Sequence, residues 1–450
     1  MAELAELPVE QLLDPKGYPC GCGKRHTTAL RTYLFGPGVL WQLPRVLQKE
    51  KVLRPFVICD EHTDLAAGRR IRHVLEEAGI PCTSFRFRPQ PKPLEPDEHA
   101  VGSLCFAFDP TCDVIIAAGS GVINDCGKVL AHAVGRPSIA VATAPSMDGY
   151  ASDNASMIQK GVKVSLYGTC PVAILADTDI LQTAPEEMLK AGMGDMLAKH
   201  ISLCEWRISH LVTGEYFCPE IAGLMRAALS RVRSHADGLM ARKAEALRFV
   251  MEGLVLSGVA MSFAKVSRPA SGVEHYFSHL WEMKTLQGLA RPSLHGVQVG
   301  VGTCLALRLF DRIKSLQPSR AKAETWIQAF SREAWEAQVK AIFGPEVACE
   351  IIALEDREMK NNPQNHARRL RKLLLHWDEI LEIIRNELPS TGDVLSLMKG
   401  MGMATTPQDI GLTRQDAMDA LIGSREMRDK YLASSMLWDL GELADFTAYL

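Results

Sequence analysis

The stretch Asp113-Val-Ile-Ile-Ala-Ala-Gly-Ser-Gly-Val-Ile-Asn-Asp-Cys-Gly-Lys128 decides the fold of the first part of the chain. Its apolar run predicts a buried strand, and the glycines that follow predict a turn into a helix. Two more apolar runs, 55–60 and 137–142, are typical of strands buried on both faces. Between them, 65–78 has helical periodicity and stops at Gly79, a helix terminator. This alternation predicts a parallel α/β sheet.

The pattern changes after about Pro185, where convincing strands almost disappear. Helical patterns follow at 187–206, 219–236, 243–264 and, as a long amphipathic stretch, 326–387. We therefore predict two domains, an α/β domain over residues 1–185 and an all-helical domain over residues 186–450.

Composition excludes several classes of function. Hydrophobic residues make up 47% of the chain and charged residues 23%, as in ordinary globular proteins. A net charge of -3 gives no electrostatic reason to expect nucleic acid or an anionic membrane as the main partner. The N-terminus does not resemble a signal peptide, and no apolar run reaches the roughly 18 residues of a membrane span. We expect a cytoplasmic protein whose scattered cysteines are buried, reduced thiols.

One close cysteine group, Cys20-Gly-Cys22-Gly-Lys-Arg-His26, has the residue types of a zinc site. It lacks a second pair of ligands at zinc-finger spacing, so a turn leading into an early strand is the favoured interpretation.

The glycine turn predicts a phosphate-binding function. Gly119 and Gly121 allow close approach of the backbone to a pyrophosphate, and the following helix N-terminus favours negative charge. The third glycine, Gly127, comes six residues after the second instead of three, so a merely tight turn is the alternative. Asp60, at the end of an earlier strand, is placed to bind an adenosine ribose, which would favour NAD over NADP. It could equally be a helix cap.

The second part of the chain contains candidate metal ligands. Asp195 lies at a predicted helix start, His275 and His279 are four residues apart on one helix face, and His295 follows next to a glycine. One carboxylate and two imidazoles suit Zn²⁺ or a similar ion and leave a position open for a substrate. Taken singly, the aspartate could be a cap and the histidines structural.

Together, these motifs resemble the superfamily of iron-dependent alcohol dehydrogenases, glycerol dehydrogenase and dehydroquinate synthase, and most closely its bacterial glycerol-1-phosphate dehydrogenase branch. The resemblance covers most of the chain outside about residues 305–390. It rests on 118–125 (AGSGVIND), 143–152 (TAPSMDGYAS), 192–195 (GMGD), 274–279 (EHYFSH), 294–296 (LHG), 405–412 (TTPQDIGL) and 428–431 (RDKY).

The resemblance implies a Rossmann-like domain, a helical domain and an active site in the cleft between them. It implies that Asp60 meets the ribose, with the rest of the dinucleotide held by Gly119, Ser120, Gly121, Val122, Ile123, Thr143, Ala144, Pro145, Ser146 and Ser152. It assigns the metal, zinc or nickel, to Asp195, His275 and His295. Asp148 and His279 would contact the substrate and take part in catalysis, and Asp195 would also face the substrate through the metal.

The implied reaction interconverts dihydroxyacetone phosphate and sn-glycerol 1-phosphate with NAD or NADP, as a step toward a phospholipid backbone. The implied assembly is a homodimer. The chain departs from the iron enzymes at Lys199, where they have a further histidine ligand. Its glycine turn begins Gly-Ser-Gly rather than Gly-Gly-Gly, with Ser120 in the middle position. Lys163 and Lys199 are both candidates for the substrate phosphate. Oxidation of glycerol or another polyol, and a nucleotide-binding protein without catalysis, are the alternatives.

Overall fold

The computed structural model describes residues 4–91, 93–160 and 162–449. The chain forms two compact units, Met1–Met196 with Cys218–Ala270, and Leu197–Phe217 with Ser271–Leu450. No described residue after Asp177 belongs to a strand, so the change from strands to helices falls close to the predicted position. The division into functional domains at residues 185 and 186 stays a prediction.

Ten strands lie in the described part of the first unit, and six of them form its main sheet. In chain order the strands are β1 Tyr18–Pro19, β2 Arg25–His26, β3 Thr32–Gly36, β4 Pro55–Cys59, β5 Thr83–Arg86, β6 Val114–Gly119, β7 Ser138–Ala142, β8 Asn154–Gln159, β9 Val162–Tyr167 and β10 Ala173–Asp177.

The main sheet has the order β3-β10-β7-β6-β4-β5, and all its strand pairs are parallel. This confirms the predicted parallel α/β sheet. After β4 the chain adds β5 on one side, and β6 then pairs with the other side of β4, so the strand order reverses between β4 and β6. Ligands of open α/β sheets bind beyond the carboxyl ends of the strands at such a reversal.

The central strands are buried on both faces. Val57, Ile116 and their alternate neighbours pack into one apolar cluster, whereas Ile58 and Ile115 pack into another on the opposite face. Side chains alternate along a strand, so strands covered by helices on both sides need an unbroken apolar sequence. Each fully buried side chain of this size contributes about 1.5–3 kcal/mol to the hydrophobic stabilisation of the fold.

Two hairpins accompany the sheet. β1 and β2 pair antiparallel, with Tyr18 opposite His26, and β8 and β9 pair antiparallel, with Asn154 opposite Tyr167. The first hairpin confirms the turn and early strand predicted around Cys20. The second was not predicted from the sequence.

The helices of the first unit flank the sheet strands in sequence and then continue without strands. The α-helices are Val9–Leu12, Leu43–Glu50, Glu61–Thr63, Arg69–Glu77, Glu98–Ala107, Gly121–Val134, Thr178–Leu181, Glu186–Leu197, Pro219–Ser234 and Ala244–Ala264. Short 3₁₀ turns lie at Leu4–Glu6, Val39–Gln42, Gly149–Ala151 and Ala236–Gly238, and a π turn at Asp64–Gly68. Gly79 ends its helix with φ of 66°, as predicted.

The second unit contains helices and no strand among its described residues. Its α-helices are Lys199–Thr213, Val273–Leu286, His295–Ile313, Arg320–Gln328, Arg332–Phe343, Pro345–Glu358, Pro363–Leu375, Trp377–Glu387, Thr391–Gly400, Arg414–Glu426, Ala433–Asp439 and Leu443–Thr447, with a 3₁₀ turn at Pro407–Ile410. The predicted stretch 326–387 is therefore several short helices. Ser331 and Asn362 cap two of them through their side chains, and Pro345 and Pro363 occupy first helical positions.

Ala244–Ala264 is the one helix among the described residues that is long and apolar enough to cross a membrane. Its apolar window is 83% buried inside the protein. This burial is that of a core helix.

No cysteine among the described residues forms a disulfide. Cys59, Cys126, Cys170 and Cys304 are buried, but Cys105 is exposed, contrary to the expectation of burial. Cys105 lies on the helix Glu98–Ala107, whose inner face is formed by Ala100 and Leu104.

Gly127, the third glycine of the segment 113–128, has a packing role that a substitution can test. A Cβ at Gly127 would lie 2.9 Å from Ala117 Cβ and 3.1 Å from Ile58 Cδ1. We expect Gly127→Ala to destabilise the protein by about 1–3 kcal/mol through overpacking, measured as a lower midpoint of urea unfolding.

Gly102→Ala is the matched control, because Gly102 is also helical and a Cβ there would meet nothing within 4 Å. That change should leave stability unaltered or raise it by up to about 1 kcal/mol. Equal midpoints for the two variants would contradict the packing role of Gly127.

Candidate active site

The glycine turn lies at the carboxyl end of β6, where the sheet order reverses. A Cβ at Gly119 would come within 2.5 Å of Ile123 Cβ, so the helix Gly121–Val134 can begin this soon only if residue 119 is glycine. At Gly121 a Cβ would meet only Met147 Cγ, at 3.9 Å, so the backbone is open to close approach there. An open helix N-terminus at this edge can bind a phosphate through its amides and dipole.

The loop after β7 is fixed to this turn. Gly119 pairs with Ala142 in the sheet register, so the segment Thr143–Ser146 leaves the sheet next to the glycine turn. The Tyr150 hydroxyl donates to Ala144 O at 2.8 Å, and the hydroxyls of Ser120 and Ser146 are hydrogen bonded to each other. Burial raises the pKa of Tyr150, which keeps its hydroxyl protonated as a donor. The structure therefore brings the two predicted dinucleotide-binding segments together.

A buried lysine holds Ser152 in this part of the unit. Lys128 Nζ donates to Ser152 Oγ at 3.1 Å, to Asn154 O at 3.0 Å and to Gly149 O. Lys128 is almost completely buried, and these acceptors, with Asp125 Oδ1 at 3.6 Å, compensate for the burial of its ammonium group. Sequence reasoning missed Lys128, since a lysine on a helix is usually exposed.

Asp60 lies at the carboxyl end of β4 and is a helix cap. Its Oδ1 accepts from Thr63 N at 2.7 Å, and the Thr63 hydroxyl accepts from Asp60 N at 2.9 Å. This is the alternative that the sequence left open. A ribose contact through the same side chain stays a prediction.

Two carboxylates of the first unit lie together. Asp195, predicted at a helix start, instead lies near the end of the helix Glu186–Leu197. Asp148 and Asp195 each place an oxygen within 4.8 Å of the other's, and Asp148 N donates to Asp195 Oδ2 at 2.9 Å. Ser257 Oγ donates to Asp148 Oδ2 at 2.8 Å. The approach depends on Gly192, where a Cβ would lie 1.8 Å from Pro145 O. The segments Gly192–Asp195 and Thr143–Ser152 thus contact each other.

The three predicted histidines lie together in the second unit. The ring centroids of His275 and His295 are 5.4 Å apart, those of His279 and His295 5.7 Å, and those of His275 and His279 6.4 Å. Two helices, Val273–Leu286 and His295–Ile313, supply them. Gly302 permits this pairing, because a Cβ there would lie 2.5 Å from Glu274 O.

Carboxylates set the orientation of these rings. Nδ1 of His275 lies 2.8 Å from Glu274 Oε1, and Nδ1 of His295 lies 3.0 Å from Glu282 Oε1 and 3.1 Å from Ser278 Oγ. A carboxylate accepts a hydrogen bond, so each Nδ1 is the protonated nitrogen and Nε2 carries the lone pair. Metal-binding histidines have this arrangement, in which an outer carboxylate fixes the tautomer. The donor set therefore fits a divalent metal.

Glu282 is a second residue of the site that sequence reasoning missed. Its Oε2 lies 3.3 Å from His279 Nδ1, so one carboxylate serves both His279 and His295. Ligand atoms of His279, Glu282 and His295 lie within 4.8 Å of one another, which places His279 in the same donor group. The signal was available, because Glu282 comes seven residues after His275 and shares its helix face.

The two candidate phosphate-binding lysines lie in different environments. Lys163 is partly buried on β9. Burial raises the pKa of Asp125, whereas the positive charges of Lys128 and Lys163 act to lower it. Lys199 is completely buried at the start of the helix Lys199–Thr213. Burial of an ammonium group requires compensating partners.

Comparison with known proteins gives the context of these residues. The family model for iron-containing alcohol dehydrogenase matches residues 34–185. A protein of Halalkalibacterium halodurans named glycerol-1-phosphate dehydrogenase [NAD(P)+] is 30% identical over 413 residues, which are 91% of this chain and 93% of that protein. A protein of the same name from Bacillus licheniformis is 38% identical over 299 residues, covering 66% of this chain and 74% of its own length.

Solved structures agree on the fold. Glycerol dehydrogenase from Schizosaccharomyces pombe has a TM-score of 0.62 at 15% identity and covers 95% of this chain and 91% of its own. A 1,3-propanediol oxidoreductase has a TM-score of 0.60 at 16% identity and covers 93% and 97%. These likenesses confirm the predicted fold class. The relatives in sequence show that this chain belongs to the glycerol-1-phosphate dehydrogenase family.

Proposed function

We propose that this protein is a metal-dependent, NAD(P)-linked oxidoreductase that interconverts dihydroxyacetone phosphate and sn-glycerol 1-phosphate. The observation that carries the proposal is the group of carboxylate-oriented histidines, His275 and His295, in a chain that is 30% identical to a relative with this name over 91% of its length. A nucleotide-binding protein that had lost catalysis would have no need to keep these donors oriented.

The proposed metal ligands are Asp195, His275 and His295. They combine one carboxylate with two imidazoles that are oriented for binding through Nε2, a donor set suited to zinc or nickel. Lys199 occupies the position of the further histidine in the iron enzymes, which favours three protein ligands and an open position for the substrate.

The proposed dinucleotide site uses the carboxyl edge of the sheet. Residues 119–123 and the adjoining helix N-terminus would receive the pyrophosphate, and Thr143–Ser146 with Ser152 would complete the site. Asp60 would bind the ribose and favour NAD over NADP, in addition to its role as a cap.

The bound metal supplies Lewis-acid polarisation of the substrate carbonyl, and the reduced nicotinamide supplies the hydride. The protein's own residues would hold the substrate and deliver the proton that balances the hydride. Asp148, oriented by Ser257, would accept a hydrogen bond from a substrate hydroxyl. His279, oriented by Glu282, would deliver the proton to the product oxygen directly or through a water.

The proposal extends to three further properties. A cytoplasmic location, a homodimeric assembly and a role in making a phospholipid backbone would all accompany this activity. The second candidate is oxidation of glycerol or another unphosphorylated polyol on the same scaffold, which the fold shared with glycerol and propanediol dehydrogenases favours.

The activity can be measured directly as loss of NADH absorbance with dihydroxyacetone phosphate. Metal stripping should abolish turnover, and zinc or nickel should restore it, because the carbonyl is otherwise not polarised. Chiral analysis should identify the product as sn-glycerol 1-phosphate. Turnover with dihydroxyacetone but not with its phosphate would replace this substrate by an unphosphorylated polyol.

His275→Ala tests the metal assignment. The variant should lose turnover by more than the roughly 10–100-fold cost of removing only an outer partner of a metal ligand. The activity should not return at metal concentrations that saturate the wild type. Full activity in this variant would refute the assignment.

Glu282→Gln tests the orientation of His279 and His295. We expect the metal concentration that restores half-maximal turnover to rise roughly 10–100-fold, because an amide holds the Nδ1 protons less strongly than a carboxylate. Excess metal should recover much of kcat, which a collapsed structure would not allow.

Glu379→Gln is the matched control, since Glu379 Oε2 lies 3.0 Å from His376 Nδ1 in the same i,i+3 relation on an exposed surface. It should leave the metal dependence unchanged. An identical response of both variants would show that Glu282 has no special role.

A further inference from the structure

A second group of metal-binding side chains lies in the first unit and includes none of the proposed active-site residues. Cys20 and Cys22 lie in and around the turn of the β1–β2 hairpin, and His26 ends it. The fourth member, Cys218, directly precedes the helix Pro219–Ser234. The sequence lacked a second half at zinc-finger spacing, and the fold supplies it from far along the chain.

The separations of the four donors match a tetrahedral zinc site. Cys20 Sγ lies 3.6 Å from Cys218 Sγ, Cys22 Sγ lies 3.5 Å from His26 Nε2, and Cys218 Sγ lies 3.6 Å from the same Nε2. All four donor atoms lie within 4.8 Å of one another. Tetrahedral zinc with Zn–S of about 2.3 Å and Zn–N of about 2.0–2.1 Å requires donor separations of roughly 3.5–3.8 Å.

The surroundings orient the donors as they would for a metal. His26 Nδ1 lies 3.1 Å from Phe263 O, so it donates to this carbonyl and turns Nε2 toward the thiols. The ring stacks on Phe263 at a centroid distance of 5.4 Å. Cys22 N donates to Cys20 Sγ at 3.5 Å, a bond that strengthens when the sulfur is a thiolate.

A disulfide explains this group less well. A Cys20–Cys218 bond would need the two sulfurs to close from 3.6 Å to about 2.05 Å. It would also not explain why Cys22 and the oriented His26 lie beside these sulfurs. Three thiols and one imidazole at mutual contact are explained together by one cation.

We propose that Cys20, Cys22, His26 and Cys218 bind a structural Zn²⁺ ion. Four protein ligands fill the coordination sphere, so this zinc has no open position for a substrate and acts as a cross-link. It joins the hairpin Tyr18–His26 to the start of the helix Pro219–Ser234, across 198 residues of sequence. Because such a site does not exist in the unfolded chain, its binding free energy stabilises the first unit.

The experiment must separate this zinc from the proposed catalytic metal, so it uses the full chain carrying His275→Ala. We expect this protein, dialysed against a mild chelator, to retain about one zinc ion per chain. X-ray absorption should show three sulfur neighbours and one nitrogen neighbour. The result is independent of the proposed function, because it requires neither substrate nor turnover.

Adding Cys218→Ser should remove this zinc and lower the thermal midpoint by several degrees. Adding Cys105→Ser should change neither, since Cys105 is an exposed thiol outside the group. Retained zinc in the Cys218→Ser protein would overturn the proposal.

A measurement on the unsubstituted groups covers the case in which Cys218→Ser fails to fold. In the folded His275→Ala protein, a mercurial thiol reagent should release zinc to a chromogenic chelator as the clustered thiols react. Absence of bound zinc, a zinc shell without sulfur, or a Cys20–Cys218 disulfide found by mass spectrometry would each refute the proposal.

Discussion

The parallel hydrogen bonding of β4, β6 and β7 is the constraint on which the first unit depends. It sends the chain out of the sheet at the same edge three times, at Asp60, at Gly119 and at Thr143. Residues far apart in sequence therefore share one edge, and the reversal of strand order opens a position between β4 and β6 for a ligand. The fully apolar strands serve this geometry, because a sheet covered on both faces can expose only its ends.

Glycines then convert the sheet and helices into a site by allowing contacts that a methyl group would prevent. Gly192 lets its helix approach Pro145 O, and Asp195 reaches Asp148 in consequence. Gly302 plays the same part in the second unit, where its helix approaches Glu274 O. In each unit, one of the two segments that meet at the glycine carries a carboxylate or an imidazole close to the contact. The candidate ligands can thus come together only because the glycines allow the backbone segments to approach closely.

The sequence predicted those features that follow from local pattern. Apolar runs predicted the strands β4, β6 and β7. Helical spacing predicted that His275 and His279 share one helix face. Lys128 was not readable, because only the tertiary position of Ser152 and Asn154 explains a buried ammonium there.

Long-range pairing set the other limit to prediction. Cys20 and Cys22 carried no information about Cys218, and a pattern of period 3.6 over 326–387 could not show where one helix ends. The N-caps Ser331 and Asn362 mark two of the helix starts within this stretch. Both residues belong to types that favour helix starts, so these boundaries could have been found by weighing caps above periodicity.

The first unit is discontinuous, since the chain leaves it at Met196 and returns at Cys218. A ribosome that has released every strand of the sheet has therefore not yet delivered the helices Pro219–Ser234 and Ala244–Ala264, or Ser257, which orients Asp148. Residues 197–217, which belong to the other unit, are synthesised before the core of the first unit is complete. Folding of the two units is thus interleaved during translation, and chaperone protection of the waiting sheet would matter most in that interval.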